Sequence, residues 1–567
     1  MKKKVIPAII IIVLIFIFAG IYVGQEFLKK YSYSTEKADL DAYFGVEGEN
    51  DVPIILGNER IEEHAKLFDG YYYMDFASVQ KYLNDRFYYG VEDGTLLYTT
   101  PTAVITNVIG TNAWSDSEGG GAEESYVISR LEGDTLYVAL EYVKKYANFD
   151  YEGFDNPNHM QLTTSWEDEQ VATIAKNTQI RLRGGVKSEI LKEVQKGDTV
   201  IVLEELENWS KVKSADSFIG YVENKRLKDI TTKSPIPVED YVEPVFEGIS
   251  KDGMVNAGFH NIGGVGGNDT ITDVISGAKS LNVICPTWLA VTSNDGQLRS
   301  FATSSYVNTA HNNGIDVWVL LDNFTGGSEV STHEFLSHAS SRAAIISKAV
   351  EETLAVGADG INLDFELVAS EDGQSFVQFM RELSIACRKA GLVFSVDNYV
   401  PMNFNDHYDL EEQGVFADYV IIMGYDEHYG GSQEAGSVAS LGYVENGIIK
   451  TLEDVPANKI INAVPFYTRI WRTADGKVSS EAVSMKVAKE FIANHNIDMQ
   501  WNAEAGQNYG EFTTSDGVLT QIWMEDETSI GQKIDSMRAN GIAGIAEWSL
   551  GMETPEIWDL IAAYVGG

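Results

Sequence analysis

One run of this chain carries carboxylates where a buried strand would carry methyl groups: Ala358-Asp359-Gly360-Ile361-Asn362-Leu363-Asp364-Phe365-Glu366-Leu367-Val368. Ile361, Leu363, Phe365 and Leu367 alternate with Asn362, Asp364 and Glu366, so at the strand's period of two the polar set shares one face. Burying two carboxylates costs several kcal/mol unless they are paired or hydrogen-bonded, so a stable fold rarely places them there without cause. Carboxylates two residues apart on one face can raise one another's pKa and keep an acid protonated near neutrality. The alternative, a half-exposed strand with a wet face, fits poorly. Ala- and Gly-rich helical sequence precedes the run, and another strand pattern follows at Leu392.

The elements that must position this run are legible around it. Strand patterns recur at Val255–Phe259, Val283–Ala290, Val317–Leu321, Ile361–Phe365, Val393–Val396, Tyr419–Met423, Ile461–Val464 and Ile542–Glu547, with helical stretches between them. Eight such runs imply an α/β fold, a closed parallel (β/α)8 TIM barrel over 248–567. Function in such barrels sits at the C-terminal strand ends. Those ends carry Trp288, Asn323, Glu366, Asn398, Met423-Gly424-Tyr425-Asp426, Tyr467 and Trp548. A doubly wound nucleotide fold is disfavoured, because Gly263-Gly264-Val265-Gly266-Gly267 lacks the dinucleotide spacing and no phosphate-loop lysine motif exists.

Asp359, Asn362, Asp364 and Glu366 stand where glycoside hydrolase family 18 has Asp-x-x-Asp-x-Asp-x-Glu, and Met423-Gly424-Tyr425-Asp426 and Trp548 match two further motifs in the right order. The chain resembles that family. Asn362 in place of the middle Asp, and Asn323 to Gly327 in place of the usual Ser-x-Gly-Gly, are similar to its spore-cortex-lytic branch. The resemblance implies Glu366 as acid/base, Asp364 orienting a substrate acetamido group, Tyr425 binding the acetamido oxygen, and Asp359 supporting Asp364 from behind. It further implies Trp548 as the floor beneath the sugar, with Met423, Asp426, Asn362, Asn323, Trp288, Asn398 and Tyr467 as substrate-binding candidates. Trp288, Asn323, Asn398 and Tyr467 read equally as rim packing. The expected activity is substrate-assisted retaining hydrolysis of β-linked N-acetylglucosamine glycans, with peptidoglycan favoured over chitin. The rival expectation is a catalytically inactive glycan-binding scaffold of the cell wall. Neither a cofactor nor a metal is implied.

Composition bounds the rest. At 567 residues two to four domains are expected. Acidic residues outnumber basic ones 84 to 42, a formal net charge of −42, which excludes the basic footprint that nucleic-acid binding needs. Cys285 and Cys387 sit in apolar contexts and read as buried small hydrophobes. Lys2-Lys3-Lys4 before an apolar run from Val5 to Gly24 predict a single-pass membrane anchor over 1–28, with the bulk of the chain on the extracellular face. A cleaved signal peptide is the alternative, although Phe18-Ala19-Gly20-Ile21-Tyr22 offers no clean cleavage site.

Residues 30–168 contain a weak repeat of strand, helix and strand. They resemble the α+β stalk module called copper amine oxidase N-terminal-like, with no copper implied. Residues 170–229 hold short turn-separated strands and resemble a bacterial SH3 domain, either wall-binding or a passive spacer. Residues 231–247, with Pro235, Pro237 and Pro244, read as a linker. His333-Glu334-Phe335-Leu336-Ser337-His338 is one residue too long for a zinc-protease helix, so cap and surface roles are expected. His260 and His428 are candidates to line the cleft.

Overall fold

The structure, a computed structural model, describes residues 5–236 and 241–566, with side chains from residue 9 onward. Lys2, Lys3 and Lys4, and Pro237 of the expected linker, lie outside the described residues. The chain divides into two compact units. One comprises Met1–Phe87, Asn107–Trp114 and Gly121–Glu243, the other Tyr88–Thr106, Ser115–Gly120 and Pro244–Gly567.

In the first unit an apolar helix runs Val5–Tyr31. No residue of its Ile9–Tyr31 part is buried, and with mean hydropathy 2.3 that part is long and apolar enough to cross a membrane. Two seven-stranded sheets follow. In one, Asp51–Leu56 lies between Glu59–Phe68 and His159–Thr163. The other curls Glu169–Ile174 through Leu227–Lys233 into the SH3-like barrel. The barrel's core of Ile174, Ile180, Val200, Val212 and Val222 also takes in Phe44 and Ile55. The expected boundary near 168 is therefore not a break in packing: aromatic and aliphatic side chains on either side of it share one apolar core.

The stretch 30–168, expected as one stalk module, is also divided between the two units. Residues 88–106 and 115–120 belong to the second unit. There the Tyr88 hydroxyl bonds Ser375 Oγ at 2.9 Å and Arg388 donates to the Pro101 carbonyl at 2.9 Å. Leu96, Leu97 and Tyr98, consecutive in Thr95–Thr99, are all buried, so both faces of that strand are covered. A strand buried on both sides needs a partner beyond its own hairpin.

The second unit is a closed barrel of eight parallel strands: β1 (Val255–His260), β2 (Val283–Pro286), β3 (Asp316–Asp322), β4 (Gly360–Asp364), β5 (Val393–Tyr399), β6 (Tyr419–Met423), β7 (Ile460–Pro465) and β8 (Gly544–Trp548). Each pairs with the next, and β8 closes on β1. The expected second strand, Val283–Ala290, breaks at Pro286. Leu289–Val291 forms a separate strand between β3 and the antiparallel Leu298–Ser300. Below the site the interior is filled: Trp318 stacks on Tyr419 with centroids 5.4 Å apart. A Cβ on Gly360 would lie 2.8 Å from the Trp318 ring, so only glycine lets the indole in. Between β7 and β8 an inserted five-stranded antiparallel sheet runs from Tyr467–Ala474 to Leu519–Met524. Cys285 and Cys387 are buried free thiols, as expected.

Candidate functional site

Strand register lines up acids across three neighbouring strands. Asp322 on β3 is in register with Asp364 on β4. On the next pair Leu363 faces Val396, which brings Asp397 of β5 level with Asp364. All three aspartates are at most 5% exposed. Asn362, one layer down, donates from Nδ2 to Asp397 Oδ1 at 2.9 Å and to Ser395 Oγ at 3.0 Å. Asp322 is held by its own loop, accepting from the Thr325 N–H at 2.7 Å and from the Phe324 N–H at 3.1 Å. Asp364 Oδ1 is buried without a hydrogen-bond partner.

Glu366 stands two residues beyond Asp364, at the mouth. Its backbone is clamped by the Asn323 side chain: the Glu366 N–H donates to Asn323 Oδ1 at 2.9 Å, and Asn323 Nδ2 donates to the Glu366 carbonyl at 2.9 Å. The Tyr399 hydroxyl donates to Glu366 Oε2 at 2.7 Å. The chain then turns through a left-handed residue, Leu367 at φ 54°, leaving its side chain 85% exposed. Tyr425, just after β6, is 8% exposed and packs edge-on to Tyr467, whose hydroxyl donates to Asp426 Oδ1 at 2.5 Å. Met423, the last residue of β6, is in register with Tyr399 and packs in the core beneath the rim. Trp548 ends β8 against Phe259, centroids 5.6 Å apart. It lines a cleft of ≈ 320 Å³ together with Asp322, Asp364, Leu320, Phe324 and Arg299.

This crowding sets the proton chemistry. Burial, then the charges of Asp397, Glu366 and Asp322, pushes Asp364 well above the usual carboxylate range. Burial raises Asp397 to about 8 against the pull of the Asn362 hydrogen bond, with the charge of Glu366 adding to the rise. Glu366 is raised by burial and by the charges of Asp426 and Asp322, while the Tyr399 hydrogen bond draws it down. Burial, then the charges of Asp397 and Asp364, raises the Tyr425 phenol, so it remains a proton donor. The arrangement offers an acid of raised pKa at the mouth, buried acids behind it, a phenol across from them and an indole wall.

The structure brings Glu366, Asp364, Tyr425, Asp426, Trp548, Tyr467, Met423 and Asn362 together, but separates other candidates from them. Asp359 lies before β4, at the barrel's opposite end. It accepts from the Val317 N–H at 2.7 Å and bonds His311 at 2.8 Å, so it cannot support Asp364 about five strand residues, roughly 16 Å, away. Trp288 is fully buried, donating to Asn268 Oδ1 at 2.7 Å and packed on Tyr306, so it is core. Asn398 exchanges two hydrogen bonds with Gln413, at 2.6 and 2.9 Å, on the outer face of β5. Asn323 spends its amide on Glu366 and Thr332 instead of facing a ligand. His260 bonds Tyr306 and Thr270, and His428 bonds the Ser437 carbonyl, so neither lines the cleft. His333 pairs with Asp372 and His338 with the Glu334 carbonyl, and no cluster able to hold a metal occurs among the described residues. Asp322, Asp397 and Tyr399, polar or aromatic groups at strand ends in the sequence, join the site although none is among the expected site residues. The signal was available for the last two, since Ser395, Asp397 and Tyr399 alternate on the face opposite to Asn398.

Comparison with known proteins places this geometry. A bacterial SH3 domain model matches residues 176–228. The chain is 29% identical over 249 residues, 42% of its length, to a Bacillus subtilis (strain 168) protein provisionally named a sporulation-specific glycosylase, YdhD. It is 24% identical over 277 residues, 47% of its length, to a cortical fragment-lytic enzyme of Bacillus anthracis. It spans 58% and 64% of those relatives' own lengths. The crystal structure of the Bacillus cereus spore cortex-lytic enzyme SleL shares the fold at TM-score 0.50 and 22% identity, over 56% of this chain and 75% of that one. The model of Glycosyl hydrolases family 18 matches residues 256–553, more than half of the chain, and with an eight-stranded barrel bearing Asp364, Glu366 and Tyr425 at its mouth the chain belongs to that family.

Proposed function

We propose that the chain is a membrane-anchored, outward-facing glycosidase that cleaves β-linked N-acetylglucosamine glycans, peptidoglycan before chitin, with retention of configuration. The observation that carries the reading is Glu366, an acid with raised pKa whose backbone is clamped by Asn323 and whose carboxylate is oriented by Tyr399. A hydrolase needs a proton for the leaving oxygen and stabilisation of an oxocarbenium-like carbon. Glu366 gives its proton to the glycosidic oxygen as the bond to the anomeric carbon breaks. The substrate's acetamido oxygen closes on that carbon from the other face, Tyr425 donates a hydrogen bond to this oxygen, and Asp364 accepts from the acetamido N–H. Water then adds to the ring intermediate, giving its proton to Glu366 and restoring the acid. No protein nucleophile is required, which suits the burial of Asp364. Support for peptidoglycan comes from the cortical fragment-lytic relative and the SH3-like module.

The chain lacking residues 1–31, and its Glu366→Gln variant, are incubated with purified peptidoglycan and with chitin oligomers, and the products read by mass spectrometry. New N-acetylglucosamine reducing ends from peptidoglycan are expected, reduced about 10²–10⁴-fold by the substitution. Products from chitin alone overturn the substrate, and none from either overturns the activity. Fractionation of cells making the full chain checks the anchor, since a soluble full-length product removes it.

A further inference from the structure

Asp397 belongs to none of the motifs that mark the site, yet it is the acid most intimately joined to it. The barrel places it level with Asp364 on the adjacent strand, 3% exposed, with one oxygen fixed by Asn362 at 2.9 Å. Asn362 is itself fully buried, and its Oδ1 and Asp364 Oδ1 both lack a hydrogen-bond partner. Two buried carboxylates side by side cannot both ionise at low cost, and a proton held between them supplies the donor that Asp364 Oδ1 lacks.

We propose that Asp397 is a positioning residue, holding a proton shared with Asp364 so that the Asp364 carboxyl stays fixed beneath the substrate's acetamido group while Glu366 cycles. The inference rests on the glycosidase reading. Asn362 fixes which Asp397 oxygen is an acceptor, leaving the other to carry the proton. The surrounding groups agree in sign. Asp322 on β3, Asp364 and Glu366 beyond β4, and Tyr425 after β6 present carboxylates and a neutral phenol, while Cys285 on β2 is a thiol that burial and the charge of Asp397 keep protonated. Burial raises both acids, and the charge of Asp397 raises Asp364 further, so the pair keeps a proton through neutrality. Loss of that proton adds a negative charge behind Glu366 and removes the donor to Asp364.

The test compares the full chain with Asp397→Asn, Asn362→Asp and the double exchange Asn362→Asp/Asp397→Asn, which keeps one acid and one amide at the pair. Infrared spectra followed against pH read the protonated carboxyl directly. Beside the unchanging band of buried Glu547, the wild-type chain is expected to keep a second protonated-carboxyl band above neutral pH that disappears in alkali. Asp397→Asn is expected to lose that titration, and the double exchange to regain it. On peptidoglycan, Asp397→Asn is expected to lower kcat at least tenfold with little change in KM and to displace the alkaline limb of the pH profile, and the double exchange to recover most of the rate. A wild-type chain without the second band overturns the proposal whether or not it hydrolyses glycan. So does Asp397→Asn with wild-type kcat and pH profile. A wild-type chain that shows the second band but cleaves no glycan defeats the glycosidase reading and, with it, the positioning role. If Asp397→Asn does not fold, the double exchange decides, and a folded double exchange that lacks the second band overturns the proposal.

Discussion

Glu366 stands between opposing influences, and its chemistry is their difference. Burial and the charges of Asp426 and Asp322 favour the neutral acid, whereas the Tyr399 hydroxyl favours the carboxylate. An acid that must give a proton and take it back works best with neither influence in full control. Tyr399→Phe removes the donor and leaves the ring, so Glu366 should hold its proton to higher pH. The alkaline limb of the kcat profile is expected to move up by about one pH unit, the value of one hydrogen bond to a charged group. A limb that stays in place would show that Tyr399 orients Glu366 without tuning it. Asp359 is a motif position whose spacing matched and whose location did not: the strand carries it to the barrel's other end, where it caps Val317.

At the scale of elements, β5 shows how one strand divides its labour. Ser395, Asp397 and Tyr399 face the interior, and Asn398 faces outward to Gln413 on the helix Leu410–Phe416. The two buried amides satisfy one another, and truncating one leaves the other with unmade hydrogen bonds. Asn398→Ala is accordingly expected to cost about 2 kcal/mol of stability while leaving KM for glycan unchanged. A raised KM with unaltered stability would return Asn398 to the substrate site. The break after β2 follows the same logic. Pro286 interrupts the strand, and the chain re-enters as Leu289–Val291 while Trp288 turns into the core.

For the whole molecule, the second unit carries more buried acid than the proposed chemistry calls for. Glu547 is fully buried with neither carboxylate oxygen partnered, and it is in register with Gly258 on the barrel's outer face. Burial, with the charge of Glu553 behind it, pushes it well above the usual range. The folded chain therefore keeps a proton there that the unfolded chain releases above about pH 4. Because the native state binds more protons, this group's contribution is greatest in acid and declines as pH rises toward its folded pKa, at most about 1.4 kcal/mol per pH unit. Glu547→Gln has no proton to lose. Its midpoint of thermal unfolding should exceed the wild-type value increasingly between about pH 5 and 7. Parallel curves for the two proteins would mean that Glu547 is ionised and compensated.

The apolar amino terminus, eight strand patterns, the SH3-like spacing and the row Asn362, Asp364 and Glu366 could be read from the chain because each is a local periodicity. Alternation at two or a run of apolar residues survives without knowledge of the partner. Which strand lies beside β4, and in what register, is a long-range property. Only barrel closure put Asp322 and Asp397 level with Asp364, turned Tyr399 toward Glu366 and sent Asp359 to the far end. The same closure hid Trp288 and paired Asn398 with Gln413. Packing likewise decided that residues 88–106 join the second unit, since a strand buried on both faces is defined by what covers it. The sequence determined which chemical groups this protein carries, and the tertiary structure decided which of them stand side by side at the barrel's mouth.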